Sequence, residues 1–171
     1  AISGEAAARA AGDLYVKLME VTTSSASTQI NLNMGSIDLT QYDSLDIRMD
    51  PVLGNGYTSE FYLLVNGLTT GYLYGQNEAG RLASIALSSD PAELVEACFH
   101  VHLGQCLCGS ADFAYIKHEG YPGGLFSGQH GNMYFALELS AAQVTALNIA
   151  GHGDVATIPS GTRVRVYGWK K

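Results

Sequence analysis

Ile158-Pro159-Ser160-Gly161-Thr162-Arg163-Val164-Arg165-Val166-Tyr167-Gly168-Trp169-Lys170-Lys171 is the stretch on which the fold turns. Pro159, Ser160 and Gly161 are turn formers, each for its own reason: a preset φ, a side chain that bonds nearby backbone, and freedom to take positive φ. Beyond the turn, Thr162, Val164 and Val166 alternate with Arg163, Arg165 and Tyr167. A period of two puts the valines on one face and the cationic or aromatic residues on the other, as in a half-buried strand. Such a strand has to pair with strands laid down earlier in the chain. That fits an antiparallel sandwich closed by its own C-terminal segment.

Working outward, strand patterns recur upstream with turn signals between them. Alternation marks strands over 13–21 and 29–34, separated by a Ser/Thr-rich loop at 22–28. Further strand patterns fall at 45–49, 61–65, 72–75, 82–87, 98–103, 113–117, 133–139 and 146–149. Asn66-Gly67 is a hairpin signal, because both residues tolerate the positive φ of a type I′ turn. Asn77-Glu78-Ala79-Gly80 separates the next two strands. Residues 90–94 and 140–144 read as single helical turns capped by Asp90 and Ser140. Short strands, no amphipathic helix of three turns and no βαβ spacing predict an all-β antiparallel β-sandwich, jelly-roll-like, over 13–171. Residues 1–12 form a short N-terminal arm or helix around Ala6-Ala7-Ala8-Arg9-Ala10-Ala11. Alanine favours helix, but one or two turns are marginal alone, so the arm either docks on a neighbour or frays.

The bulk properties narrow the function. A chain of 171 residues is one ordinary domain, able to bury about two-thirds of its unfolded surface. Apolar residues make up 47% and charged ones only 15%, which gives a real core and a quiet exterior suited to cover by neighbouring subunits. The net charge is −7, and the basic residues cluster only at Arg163, Arg165, Lys170 and Lys171. Nucleic-acid binding needs a basic stripe that repays counterion release, so no nucleic-acid partner is expected. Those four residues either mate with an acidic patch on a partner or serve as gatekeeper charges on a solvated edge strand. No apolar run reaches the ~20 residues that span a bilayer, and no secretory signal is visible, so no membrane insertion is expected. Ala1 at the start fits initiator removal or trimming of a longer precursor. Three cysteines, an odd count, argue against a disulfide scaffold and for folding in a reducing cytoplasm before assembly.

The Ile-Pro-x-Gly-Thr-x-Val-x-Val-Tyr-Gly run at 158–168 resembles the last strand of jelly-roll-like domains in virion proteins of tailed bacteriophages. Two upstream runs strengthen the resemblance. Phe61-Tyr62-Leu63-Leu64-Val65-Asn66-Gly67, followed by Thr69-Thr70-Gly71-Tyr72-Leu73-Tyr74, is similar to that family's strand, Asn-Gly turn and Tyr-rich strand. Tyr42-Asp43-Ser44-Leu45-Asp46-Ile47-Arg48 is similar to its Tyr-x-x-Leu-x-Ile strand. The matches span roughly 37–169, and their specificity lies in their order. Leu68 stands where the family carries Asp after the turn. The resemblance implies a non-enzymatic structural protein of the virion, either a tail or tail-fibre module or a capsid-decoration protein. It implies a homo-oligomer, with a trimer favoured, touching other virion proteins and a host-surface glycan during host attachment, and no cofactor. A carbohydrate-binding module, on or off a virion, is the alternative, and a metal-dependent hydrolase a more distant one.

Among chemistry-bearing residues, Cys98, His100 and His102 share one face of a predicted strand, with Phe99, Val101 and Leu103 on the other. Cys106 and Cys108 repeat the spacing. Zinc is the natural ion for such ligands. Side chains two apart on a strand are ~6.5–7 Å apart, however, while zinc ligands sit ~3–4 Å from one another. At most two of the three can then share an ion, helped by a neighbouring strand such as that of His118. The other reading is a buried or interfacial strand face, with Cys as a small hydrophobe and His bonded to carbonyls. On a symmetry axis, His100 or His102 would cluster with copies of itself and make assembly pH-sensitive.

Ser127 and His130 lie close in sequence, but no Gly-x-Ser-x-Gly elbow accompanies them, and no catalytic residue is assigned. Of the acidic residues Asp38, Asp43, Asp46, Asp50 and Glu60, Asp46 and Glu60 read as solvent-facing strand residues. The glycine-rich loop 119–132 offers Tyr121, Phe126, His130 and Asn132 as a contact surface. Tyr57, Tyr72 and Tyr74 either extend it as an aromatic platform or pack across strands. Arg163, Arg165 and Trp169 are the expected subunit or partner contacts. Trp169, the single tryptophan, either pins the terminus to the core or anchors a partner.

Overall fold

The computed structural model describes residues 13–50, 61–68, 71–73, 92–117, 127–129, 135–151 and 158–171. Within them the strands are β1 (Tyr15–Thr22), β2 (Gln29–Asn33), β3 (Tyr42–Asp50), β4 (Phe61–Val65) and β5 (Tyr72–Leu73). Then come β6 (Ala92–Leu103), β7 (Leu107–Lys117), β8 (Ser127–Gln129), β9 (Phe135–Leu137), β10 (Ala146–Gly151) and β11 (Arg163–Lys170). Among the described residues there is no α-helix, only the 3₁₀ turns Leu39–Gln41 and Ala141–Gln143.

The strands form two sheets, and every ladder is antiparallel. The larger runs β1-β11-β3-β6-β7-β9-β5, with β8 also paired to β7; the smaller runs β2-β10-β4. The chain is an all-β antiparallel sandwich. Its pairings are nested: β1 joins β11, β2 joins β10 and β3 joins β6. The chain passes from one sheet to the other at β1–β2, β2–β3, β3–β4, β4–β5, β9–β10 and β10–β11.

Alternation decides which side chains meet between the sheets. Val164 and Val166 of β11, Leu45, Ile47 and Met49 of β3, and Phe99, Val101 and Leu103 of β6 face inward from the larger sheet. Ile30 and Leu32 of β2, Leu63 and Val65 of β4, and Leu147 and Ile149 of β10 meet them from the smaller one. Each fully buried side chain of this size contributes on the order of 1.5–3 kcal/mol relative to exposure. The 3₁₀ turns add Leu39 to this core, and Val144 follows the second turn into it.

The turns behave as their residues require. Asn66 (φ 52°) and Gly67 (φ 67°) both take the left-handed region, and the Leu68 N–H donates to the Val65 carbonyl at 2.9 Å. Gly161 (φ 87°) closes the turn before β11, with its N–H on the Thr23 carbonyl at 2.7 Å. At the Ala141–Gln143 turn, the Gln143 Oε1 accepts from the Ser140 N–H at 2.9 Å.

Three expectations are corrected here. The Asn66-Gly67 turn forms, but it closes no hairpin between the strands that flank it: β4 pairs with β10 in the smaller sheet and β5 with β9 in the larger. β11 is no edge strand: it lies between β1 and β3, so its arginines are not gatekeepers of an open edge. Residues 92–94 form no helical turn, because β6 begins at Ala92 and pairs with β7 from Ala92↔Lys117 onward. One isolated turn would gain a single hydrogen bond for several ordered residues, whereas the long β6–β7 hairpin supplies a continuous ladder. The expected arm at 1–12, the strand at 82–87 and the turn at 77–80 lie outside the described residues.

Candidate functional site

The outward faces of β1, β11, β3, β6 and β7 set charged and aromatic residues side by side. Register gives rows across the sheet. Tyr15 pairs with Trp169, Trp169 with Ser44, Ser44 with His102 and His102 with Cys108. One step along, Tyr167 pairs with Asp46, Asp46 with His100 and His100 with Ser110. The third row places Arg165 against Arg48 and Arg48 against Cys98.

Asp46 is the centre of this face. Its Oδ2 accepts from the Tyr15 hydroxyl at 3.0 Å and the Trp169 Nε1–H at 3.3 Å; His100 Nδ1 lies 2.8 Å from Oδ1. A carboxylate accepts only, so His100 Nδ1 carries the proton of that bond. The Tyr15 ring stacks on Tyr167 with centroids 4.9 Å apart and tilts against Trp169 at 4.4 Å. The Arg48 guanidinium carbon lies 5.7 Å from the Tyr167 ring centroid, turned toward β11. Burial, followed by the Asp46 carboxylate beside it, pushes the Tyr15 phenol up to about 12.

Asp46 was expected to face solvent. It does point outward, yet only 9% of it is exposed. Tyr15 and Trp169 close over it, and the bonds from three other strands make the burial tolerable.

Beside this centre lies an open groove of about 530 Å³, whose lining includes Ser44, Asp46, His100, His102, Cys108 and Trp169. Cys98, His100 and His102 all project to the outer face as the alternation predicts, with Phe99, Val101 and Leu103 inward. The ligand atoms of Asp46, Cys98 and His100 lie within 4.8 Å of one another. His102 stands apart from that cluster. The neighbouring strand that completes it is β3, through Asp46; His118 lies outside the described residues. At the tip of the β6–β7 hairpin, Cys106 Sγ and Cys108 Sγ are 3.9 Å apart. Burial, then the bond to Cys106, pushes the Cys108 thiol up.

The arginines of β11 find their acid within the chain. The Asp50 Oδ2 accepts from Arg163 at 3.0 Å and from Arg165 at 2.7 Å. Trp169 serves as a pin through Asp46 and Tyr15, and it still leaves 42% of its surface exposed. Tyr72 sits in β5 opposite Leu137, and Ser127 in β8 opposite Tyr115. Tyr121, Phe126, His130, Asn132, Tyr57, Tyr74 and Glu60 lie outside the described residues. The Asp46–Tyr15–Trp169 centre joins residues 31 and 123 positions apart. Alternation places each of them outward, but only the strand order brings them together. No family model matches the chain, and neither the curated proteins nor the solved structures contain a match to it.

Proposed function

We propose that this chain is a non-enzymatic, jelly-roll-like structural protein of a tailed-phage virion, a tail or fibre module or a capsid decoration. The observation that carries the reading is the nested strand pairing. A jelly roll wraps an antiparallel ribbon so that first pairs with last, second with second-last, and so inward. The β1–β11 and β2–β10 ladders follow that rule; further in, β3 pairs with β11 and β6, β4 pairs with β10, and β7, β8, β9 and β5 extend the larger sheet beyond it. The three runs that carry the phage resemblance fall on β3, on β4 with its turn, and on β11. In this chain the Asn66 side chain acts as a brace. Its Oδ1 accepts from the Thr145 and Ala146 N–H groups at 2.8 and 3.0 Å, and its Nδ2 donates to the Gln143 carbonyl at 2.8 Å. That structural use accords with Leu68 in place of the family's acid.

The module folds in the host cytoplasm and works in the particle, as a homo-oligomer with a trimer favoured, holding other virion proteins. The charge-poor composition, 15% charged residues, supports subunit contact. Native mass spectrometry of the purified chain is expected to give a trimer of the 18.1 kDa subunit, and labelling with antibodies is expected to decorate particles. A strict monomer absent from particles would reject the reading.

A second reading has its own observation. The exposed face of Trp169 stands on a groove that also presents Ser44, His100 and Asp46, an aromatic platform beside hydrogen-bonding groups. Sugars bind in that way, through ring stacking and polar contacts. The groove would serve host-surface glycan contact, or a carbohydrate-binding module off the virion. Glycan-array binding lost in Trp169→Ala is the expected result, and an array without signal would remove this reading.

A further inference from the structure

We propose that Asp46, Cys98 and His100 form a binding site for one divalent zinc-like ion on the outer face of the larger sheet. The set combines carboxylate, thiolate and imidazole, which suits zinc and its borderline-soft neighbours and not magnesium or calcium. Three donors from two adjacent strands already lie within 4.8 Å of one another. Zinc bonds of ~2.0–2.3 Å bring ligand atoms to ~3–4 Å, so closing on the ion takes side-chain rotation of about 1 Å and no backbone change.

The surroundings are those of a supported ligand. Asp46 Oδ2 is held by the Tyr15 hydroxyl and the Trp169 Nε1–H, which orients Oδ1 toward His100. Outer bonds of this kind fix a ligating carboxylate and tune its basicity. On binding, the Cys98 thiol releases its proton to solvent. His100 stays neutral, its proton passing from Nδ1 to Nε2 so that Nδ1 ligates. Thiolate, carboxylate and a doubly charged cation then sum to zero, which suits a half-buried site. Arg48, the nearby cation opposite Cys98, carries its guanidinium over Tyr167 on the β11 side of β3. Asp46 and His100 also line the groove, from which water or a ligand group would complete the coordination.

The competing thiols are Cys106 and Cys108, whose 3.9 Å separation also suits a shared soft ion. The test separates the two. The reduced, chelator-stripped whole chain is titrated with cobalt(II) and then with zinc(II). One equivalent is expected to bind, with a thiolate-to-cobalt charge-transfer band. Cobalt is also expected to quench Trp169, the single tryptophan, whose indole rests on Asp46. Cys98→Ser and His100→Gln should each weaken binding at least about tenfold, with far-ultraviolet dichroism unchanged. The Cys106→Ser/Cys108→Ser double variant should keep both the band and the quench. Saturable binding that survives Cys98→Ser, binding that disappears in the double variant, or no stoichiometric binding at all overturns the proposal. If Cys98→Ser fails to fold, Cys98→Ala is judged by the same readouts.

Discussion

At the scale of single residues, Asp46 sets the character of the outer face. Replacing it with Ala removes the common acceptor of Tyr15, His100 and Trp169. Because this face is partly wet, water replaces some of the loss, and Asp46→Ala is expected to cost about 1–3 kcal/mol in urea unfolding. A result within ±0.5 kcal/mol would show that the carboxylate does not hold these strands. Tyr15 carries a pH signature of the same contact. Its phenol is raised from 10.0 to about 12 in the folded chain, so folding favours the neutral form. That contribution is full below pH 10 and is lost as pH rises from about 10 to 12. Tyr15→Phe should be less stable at neutral pH and lose stability less steeply across that window. Parallel slopes for the two proteins would mean that Tyr15 titrates as an ordinary tyrosine. The sequence shows which way Asp46 points, because alternation fixes the face. Its burial escapes the same reading, because the rings that cover it come from β1 and β11, far away along the chain.

At the scale of elements, β11 explains why its sequence reads as it does. Val164 and Val166 face the core, Arg163 and Arg165 share Asp50, and Gly168 passes close to other side chains. A Cβ on Gly168 would sit 2.5 Å from Tyr42 Cδ1 and 2.9 Å from Leu18 Cδ1. Neither neighbour can withdraw without disturbing packing, since Tyr42 is buried and Leu18 packs against the core. Gly168→Ala is therefore expected to cost about 1–3 kcal/mol, read as a lower melting temperature. An unchanged melting temperature would mean that the strand has room there. The alternation and the Pro-Ser-Gly turn made this strand legible. Its place between β1 and β3 was not, because a short cationic strand reads equally well as an edge. The helical turn expected at 90–94 failed for a related reason: local capping signals say nothing of the ladder that β7 offers to Ala92.

At the scale of the whole molecule, the pairings with the longest reach matter most. Tyr15 pairs with Trp169, which ties both ends of the described chain into one sheet, and Asn33 pairs with Ala146 in the other. The faces of the strands could be read from the sequence; their order could not, since non-local pairing leaves no local mark. Both sheets empty their inward side chains into one core, and that has a consequence for unfolding. Phe99 on β6 and Leu147 on β10 sit on opposite sheets, each 1% exposed. Phe99→Ala should cost about 3–5 kcal/mol and Leu147→Ala about 2–5 kcal/mol, the lost transfer energy plus the cavity left behind. Each should shift one shared transition, with Trp169 fluorescence and far-ultraviolet dichroism superimposing, because neither sheet has a second surface on which to bury its apolar face. Were Leu147→Ala to melt the dichroism while leaving Trp169 fluorescence folded, the larger sheet would stand alone and the sandwich would not be a single cooperative unit.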